Sequence, residues 1–368
     1  ANHFYHDFGR FRLKWERHTE FVSYTLYEET PAEDLFSTDL ADILPDDWLA
    51  EAPGQVIAAI QVEAMEAESA EETEKLLRGR LAREFNAESL AVARVLEGNA
   101  TALGDFRIHE GGFSRFALVL HGPSGPRRIG RLIQRLIEVE TYRTLAMTTL
   151  PLARETAAKL NEIETELTKL IDQVAHDEAN ANEAAILAQL TELSADLESL
   201  SAGTAFRFGA QRAYEALVHQ RIDSLREERL KGRQLFREFM MRRFDPAMRT
   251  CQAAERRLGE LSLRASRIAD LLRTRVDVGM QAQNQRLLES MDRRAELQVR
   301  LQKTVEGLSA VAISYYAVSL ASYLLSPFAP AVGLDKTGLT AAIAIPVILA
   351  VWAFVRRVRR QLEKSDGA

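Results

Sequence analysis

Two apolar segments near the C-terminus, residues 307–326 and 339–355, constrain the fold of this chain more than any other feature. At about 1.5 Å per residue, a helix of either segment crosses or nearly crosses a hydrocarbon core of roughly 30 Å. Backbone inside lipid must satisfy its own hydrogen bonds, so the short link 327–338 joins two antiparallel helices as an external loop. We therefore predict a transmembrane hairpin. The alternative, two buried core helices of a soluble protein, is disfavoured because no ionisable residue interrupts either segment.

Basic residues lie at the ends of this predicted hairpin that are opposite the connecting loop, and they predict its orientation. They are Arg293, Arg294, Arg300 and Lys303 before the first span, and Arg356, Arg357, Arg359, Arg360 and Lys364 after the second. The connecting loop holds only Lys336, which follows Asp335. Because cytoplasmic flanks carry the excess of Lys and Arg, we expect both termini in the cytoplasm. The expected location is a bacterial inner (plasma) membrane, crossed twice, with a basic cytosolic tail at 356–368.

Length and composition leave a large cytosolic part before the first span. The chain has 368 residues, of which roughly 300 precede the hairpin, enough for one or two domains with a core. It begins with Ala1, which predicts that part of an N-terminal region is missing. The single cysteine, Cys251, excludes an internal disulfide and fits a reducing compartment. The net charge of −6 is segregated, with only acids from Glu28 to Glu74 and frequent arginines from Arg207 to Arg300, a pattern that solvated, mutually pairing helix faces explain.

Residues 1–125 have the pattern of a mixed α/β domain. Segments rich in β-branched and aromatic residues predict strands at 21–27, 55–62, 90–95 and 115–120. Leucines at helical spacing predict a helix over 70–84, and short helices are expected within 31–48. Turns are expected at Gly98 and at Gly111–Gly112, the second of which supports a hairpin.

Two prolines and two glycines within residues 121–126 predict a domain boundary, because such a segment continues neither a strand nor a helix interior. A phosphate-binding loop is the alternative, but no Gly-Lys-Ser/Thr follows, and Arg127 and Arg128 more simply open a helix.

From 126 onward the pattern is helical, with long helices over 126–245 and a stalk helix over 246–306. Pro151 is expected to kink the first helix. Breaks are expected at 176–182, at 201–204 and at Asp245–Pro246, where Asp245 would cap the stalk helix. Apolar residues then recur at spacings of three, four and seven, which is typical of helices that associate: Leu261, Ile268, Leu272, Val276, Met280, Leu287, Met291, Leu301, Val305 and Leu308. We expect one continuous helix from the cytosol into the first span, packed against other helices or copies of itself.

This order of elements resembles the CorA family of divalent-cation transporters. The segment Val305-Glu306-Gly307-Leu308-Ser309-Ala310-Val311-Ala312-Ile313 is similar to the stretch in which that family introduces its pore helix. The resemblance implies a fold of class α+β, in which a cytosolic mixed α/β domain is followed by a long helical bundle or stalk and a two-helix transmembrane hairpin. It also implies a homopentamer whose first span lines a path for a divalent cation.

A second resemblance is closer in amino-acid sequence. The segment from Asp7 to Phe21, Asp-Phe-Gly-Arg-Phe-Arg-Leu-Lys-Trp-Glu-Arg-His-Thr-Glu-Phe, resembles the most characteristic segment of a family of uncharacterised, membrane-anchored bacterial proteins of unknown function. The chain departs from the cation transporters at one point. Their pore helix ends with Gly-Met-Asn, a tripeptide absent here, and Ser326-Pro327-Phe328 occupies that register at the expected outer mouth.

One face of the first predicted span carries candidate pore-lining residues. In helical spacing these are Val305, Leu308, Ala312, Tyr316, Ser319 and Ser322, apolar toward the cytosol and hydroxyl-bearing toward the outer end. In a ring of subunits this face would form a hydrophobic gate and a polar throat. The alternative is that Ser319 and Ser322 permit close helix packing in the bilayer, and that Tyr315 and Tyr316 plug the axis of a non-conducting, membrane-anchored scaffold.

Two sets of residues are candidate metal ligands. Asp270, Asp277, Asn284 and Asp292 recur along the stalk helix and would form oxygen-ligand rings for Mg²⁺ or a similar cation in a symmetric bundle, unless they pair with nearby arginines. His3, His6, Asp7 and His18 are candidate transition-metal ligands, with ordinary polar surface as the simpler interpretation.

Two other classes of function are not expected. Aromatic and basic residues alternate over 7–20, a pattern found in single-stranded nucleic-acid binders, but a half-buried strand explains it and the chain is acidic. The sequence has no metalloprotease, phosphate-loop or dinucleotide motif, so we expect neither an enzyme nor a nucleic-acid partner. The expected partners are the lipid bilayer and further copies of the chain, and the expected bound species is a divalent cation rather than an organic cofactor.

Overall fold

A computed structural model describes residues 2–29, 35–37, 43, 47–52, 54–176, 183–325 and 336–365. The chain forms two compact units, residues 1–272 and residues 273–368. Most of the short helices expected within 31–48 and the break expected at 176–182 fall outside the described residues.

The described strands and helices follow one another in mixed order up to residue 120 and are almost entirely helical afterwards. The strands are β1 (His3–Asp7), β2 (Phe11–Arg17), β3 (Val22–Glu28), β4 (Ile60–Glu66), β5 (Ala91–Val95), β6 (Ala100–Ile108), β7 (Ser114–Leu120) and β8 (Glu228–Arg229). The helices are α1 (Trp48–Glu51), α2 (Ala70–Arg78), α3 (Arg80–Glu84), α4 (Pro126–Met147), α5 (Thr149–His176), α6 (Glu183–Leu225), α7 (Phe236–Phe239), α8 (Asp245–Leu325) and α9 (Lys336–Ser365). This order confirms the expected mixed α/β part followed by long helices.

Strands β1, β2 and β3 form an antiparallel three-stranded sheet, here called sheet A. The alternation of aromatic and basic residues that predicted a strand lies on β2, where it is explained by ion pairs to acids of the same sheet. Lys14 Nζ lies 2.8 Å from Glu16 Oε2, and Arg10 Nε lies 3.6 Å from Glu28 Oε1. None of residues 2–29 is fully buried, so sheet A has no closed core of its own.

Five strands form the second sheet, sheet B, in the order β4-β7-β6-β5-β8. Strand β4 runs parallel to β7, and the other pairs are antiparallel. Buried residues of α4, α6 and α7 cover one face around Phe116 and Phe236, and α2 and α3 cover the other around Leu81 and Leu103. Because both faces are covered, the central strands β5, β6 and β7 are almost continuously buried.

A buried carboxylate links sheet B to α4. Glu140 is only 2% exposed; it accepts a hydrogen bond of 2.8 Å from Ser114 Oγ and two of 2.7 Å from Arg143. The Arg143 guanidinium lies 5.5 Å from the centre of the Phe106 ring. Every bond that a buried charge requires is thus supplied locally, which is the condition under which such a pair is tolerated.

Helices α5, α6 and the first part of α8 pack along a shared apolar seam. Buried leucines and isoleucine from all three helices line it: Leu160, Leu167, Leu170, Ile186, Leu190, Leu193, Leu197, Leu258, Leu261 and Leu272. The predicted positions Leu261 and Leu272 are therefore core positions, and Ile268 packs against them.

The predicted break at 201–204 is wrong, because α6 continues through it from Glu183 to Leu225. Thr204 Oγ1 donates a hydrogen bond of 2.8 Å to the carbonyl of Leu200, so the hydroxyl is satisfied within the helix. Leu197 and Phe208 are buried on either side. Their burial outweighs the cost of about 1 kcal/mol for the intervening Gly203.

The predicted cap at Asp245 is also wrong. Asp245 has helical backbone angles, φ −58° and ψ −40°, and follows a π-helical turn at Met240–Phe244 and helix α7. Pro246 lacks an N–H, and the wider turn immediately before it accommodates the missing backbone bond. The real break lies between Leu225 and Phe236. Its sequence signal was Gly232, which has φ +76°.

The remaining differences concern strands and one kink. Strand β4 occupies 60–66 rather than 55–62, and β1 and β6 were not predicted as strands. The helix expected to continue through Pro151 is interrupted at Thr148, because α4 ends at Met147 and α5 begins at Thr149. Pro151 has no N–H to bond to the carbonyl of Met147, which places this interruption one turn before the proline. The predicted helix over 70–84 is split at Gly79 into α2 and α3.

Sheet A is attached to the helices through Glu20. The carboxylate of Glu20 accepts a 3.0 Å hydrogen bond from Arg207, whose other amino group donates to Leu145 O and Thr148 Oγ1. Burial, followed by the charge and hydrogen bond of Glu20, raises the pKa of Tyr214 to about 12. This cluster joins the loop after β2 to α4 and α6.

Glycine at 104 is predicted to be indispensable in strand β6. A Cβ there would lie 2.5 Å from two carbons of the Phe116 ring, so Gly104→Ala should lower the unfolding free energy by about 1–3 kcal/mol. The matched change Gly130→Ala meets open space on α4 and should stabilise by about 0.5–1 kcal/mol. Denaturant unfolding of the full chain in mild detergent, followed by tryptophan fluorescence, measures both. Equal effects would contradict the packing described here.

The raised pKa of Tyr214 predicts a loss of stability at high pH. The phenol ionises near its ordinary pKa of 10 in the unfolded chain but only near about 12 in the folded one. Its contribution is therefore complete below pH 10 and falls as the pH rises from 10 to 12. Tyr214→Phe should weaken this decline, measured as denaturation midpoints between pH 9 and about pH 11. Tyr24→Phe removes an exposed phenol as the control. Identical pH profiles for the wild type and Tyr214→Phe would refute the assignment.

Candidate functional site

Two helices are long and apolar enough to cross a membrane. An 18-residue window near the end of α8 has a mean hydropathy of 1.6, and one within residues 337–357 of α9 has 2.3. None of the residues in these windows is fully buried. By length and composition, both helices could therefore span a membrane, in agreement with the two predicted segments. The residues between them, 326–335, include the outer-mouth candidates Ser326, Pro327 and Phe328 and lie outside the described residues.

Each apolar helix buries one narrow stripe. On α8 the partly buried stripe consists mainly of small residues at spacings of three and four, namely Ala310, Ser314, Ala317 and Ala321. On α9 it consists of Ile343, Val347, Val351 and Val355, at a strict spacing of four. Small residues allow close approach of helices in a bilayer. Ser314 Oγ donates a hydrogen bond of 2.7 Å to the carbonyl oxygen of Ala310 in its own helix. These stripes are the covered sides of the two helices.

The first four candidate pore-lining residues lie away from the covered stripe. Val305, Leu308, Ala312 and Tyr316 are all exposed. At about 100° per residue, the centre of this set lies roughly on the opposite side of α8 from Ser314. The apolar end of α8 therefore has one covered side and one free side, and the first four residues of the predicted pore face lie on the free side.

The two outer candidates differ from this pattern. Ser319 and Ser322 are partly buried, and the Ser322 hydroxyl is buried without a hydrogen-bond partner among the described residues. Ser322 lies on the flank between the free side and the covered side. A hydroxyl in that place fits helix packing at least as well as a polar throat.

Tyr323 was missed by the sequence reasoning. It follows Tyr316 by seven residues, which returns to almost the same helix face, and it is 81% exposed. Tyr315 and Tyr316 contact each other edge to face, with ring centres 5.8 Å apart. The heptad spacing from Tyr316 was the signal that would have identified Tyr323. The free side of α8 thus ends in aromatic side chains rather than in the serines alone.

Exposed apolar residues continue toward the N-terminal end of unit 273–368, where every residue of α8 from 277 to 309 is exposed. Met280, Leu287, Met291 and Leu301 are about as exposed as Val305 and recur on the same side of α8. An apolar stripe of this length on a helix is typical of helices that pack against a partner helix.

The candidate metal ligands are not brought together within one chain. Asp270, Asp277, Asn284 and Asp292 are spread along α8. No group of three or more His, Cys, Asp or Glu side chains suited to a metal ion occurs in the parts of the chain that the structure describes. His3, His6 and Asp7 lie on β1, whereas His18 follows β2, stacks on Phe21 and bonds to Ser23.

A shallow cleft of about 380 Å³ lies beside the Glu20 cluster. Phe206 and Arg207 line it on the helix side and Thr19 and Glu20 on the side of sheet A. Its two charged lining residues, Arg207 and Glu20, are paired with each other. The cleft therefore offers no unpaired lining charge to a ligand.

These observations place the chain among proteins with a mixed α/β part followed by long helices, two of which could span a membrane. Within that class, the chain belongs to a family described as "Protein of unknown function (DUF3422)", whose family model matches residues 1–362. This confirms the expected membership of an uncharacterised family. The likeness to the CorA transporters is no part of that match. No curated protein and no solved structure matches the chain.

Proposed function

We propose that the protein is a CorA-like homo-oligomer of the bacterial inner membrane, in which α8 lines a path for divalent cations. The observation that carries this proposal is the two-sided character of the first span. Its stripe of small residues is partly covered within the chain, whereas Val305, Leu308, Ala312 and Tyr316 are exposed on the opposite side. A pore helix with a supporting outer helix has this arrangement.

The proposed topology places both termini in the cytoplasm. It rests on the basic residues before the first span and after the second, and on the nearly uncharged link between the two spans. All copies would then enter the bilayer with α8 in the same direction. A parallel ring of α8 helices would bring each apolar stripe from Met280 to Leu308 toward a central axis, where the other copies cover it. We propose five copies, as the CorA resemblance implies.

In such a ring Leu308 would narrow the path at the cytosolic end of the span. An apolar constriction resists an ion because the ion loses hydration without gaining ligands, so the pore would be closed at rest. In this ring the carboxylates of Asp277 would stand near the approach to the path, about 80° around α8 from Leu287. Asp292 lies about 140° around the helix from Leu287 and would point away from the axis. The outer selectivity would differ from the Gly-Met-Asn mechanism, because that tripeptide is absent.

A non-conducting membrane-anchored scaffold is the second candidate. Tyr316 and Tyr323 both lie on the free side of α8 and are strongly exposed. Ten aromatic rings brought to one axis in a pentamer would fill it. The same helix would then serve only to assemble the cytosolic parts.

Ion flux into liposomes tests the choice between the two. Leu308→Ser should increase the flux of Mg²⁺, Co²⁺, Ni²⁺ or Zn²⁺ at least about tenfold, a change that corresponds to a barrier lower by ~1.4 kcal/mol. Val311→Ser is the matched control, since Leu308 is 71% and Val311 72% exposed but Val311 lies off the predicted axis. It should leave the flux unchanged. Absence of flux from all three proteins, in an assay where a known channel conducts, rejects transport and favours the scaffold.

Assembly is tested by the oligomer mass in mild detergent. The wild type should have five times the mass of one chain, and Leu287→Asp should yield smaller species because it puts charge into the shared apolar stripe. Leu288→Asp is the control, with a similar exposure of 65% against 60% but a position about a quarter turn away. A wild-type monomer or antiparallel dimer would eliminate the central pore.

A further inference from the structure

At the C-terminal end of α9, the apolar part of the helix continues directly into a cationic part. The helix runs without interruption from Lys336 to Ser365, ten residues beyond the predicted end of the second span at Val355. Within these ten residues stand five cations, Arg356, Arg357, Arg359, Arg360 and Lys364, and a single carboxylate, Glu363. The positive charge therefore begins immediately where the apolar segment ends.

Trp352 and Arg356 mark the level at which this transition occurs. The guanidinium of Arg356 lies 5.0 Å from the centre of the Trp352 ring, and the indole is 57% exposed. Tryptophan concentrates at the boundary between hydrocarbon and headgroups, and arginine over its face is oriented without neutralising its charge. Arg356 and Arg357 are exposed and form no ion pair with any described residue.

The excess of positive charge is confined to the tail. Arg293, Arg294, Arg300 and Lys303 are exposed on α8, but Glu289, Asp292, Glu296 and Glu306 stand among them, so this segment adds no net charge. The exposed cations Arg356 and Arg357, directly after the second span, are complementary to anionic phosphate groups.

We propose that the basic end of α9 binds anionic phospholipid headgroups in the leaflet that faces the cytoplasm. The inference rests on the membrane hairpin of the proposed function but not on ion conduction. Arg356 and Arg357 contact the phosphates, Trp352 fixes the depth of the helix, and the remaining cations enrich anionic lipid around it. The binding is electrostatic, so it weakens as salt screens the charges.

Energy transfer from Trp352 to lipids measures this enrichment. The chain has three tryptophans, so Trp15→Phe and Trp48→Phe leave Trp352 as the single donor. The full-length protein is reconstituted into vesicles of phosphatidylcholine and phosphatidylglycerol that contain a trace of dansyl label on one lipid or the other. We expect the anionic label to be enriched about threefold or more over the zwitterionic label at low salt, and the ratio to approach one at 1 M salt.

Matched charge variants identify the residues responsible. Replacement of Arg356, Arg357, Arg359 and Arg360 by Gln should abolish the enrichment, whereas replacement of the same four by Lys should preserve most of it. The control replaces four exposed arginines of α8 outside the predicted spans, Arg249, Arg256, Arg264 and Arg267, by Gln and should change nothing. Equal ratios for both labels with the wild-type tail, or enrichment that survives the Gln replacement of the tail, would overturn the proposal.

Membrane insertion is scored in the same vesicles by flotation and resistance to alkaline extraction. A protein that does not insert refutes the hairpin and with it the proposed function. A protein that inserts but shows no preference for the anionic label refutes only the lipid inference. Loss of oligomer mass in the tail variant, without any lipid preference in the wild type, would instead assign the cations to an acidic surface of another copy.

Discussion

The burial of sheet B between two helical layers is the constraint on which unit 1–272 depends. Phe116 occupies the space that Gly104 leaves open, and the helices on that face close over it with Phe236 and Phe239. Glu140 and Arg143 attach α4 to strand β7 within the same layer. Because the central strands are buried on both faces, the helices can be displaced only by exposing this core to water. Helices α5, α6 and α8 extend from that base along a second apolar seam.

The cover over α8 ends at Leu272, the last fully buried residue of the helix. Within unit 273–368 the residues of α8 from 277 to 309 are all exposed, and from Ala310 onward a partly covered stripe of mainly small side chains lies opposite a free stripe of large apolar ones. A free stripe of that length exposes apolar surface that a soluble monomer rarely leaves uncovered. Lipid on the outer side and further copies of the chain on the inner side are the environments that would cover it, and this is the physical basis of the proposed assembly.

Much of the fold could be predicted from local pattern. The apolar segments, the long helix into the first of them, strands β2 and β3 and the turn before β7 follow from composition, period and turn residues. The errors have specific causes. Local pattern predicts a break at Gly203, but burial of Leu197 and Phe208 holds α6 together. It also predicts a cap at Asp245, but a π-helical turn carries the helix past Pro246. Strand β6, rich in small residues, becomes recognisable only through its partners.

The order of amino acids is enough to identify the segments that are apolar enough to span a membrane, the positive charge that flanks them and the continuation of α8 into the first of them. These properties depend on residues close together in the chain. The packing of the folded chain is needed to show which side of that helix is covered, that Ser322 lies on a packed flank and that Tyr323 joins the free side with Tyr316. The helical period shows which residues share a face, but it does not show which face is turned toward the neighbouring elements. Packing against other elements fixes the rotation, and such contacts join residues far apart in sequence.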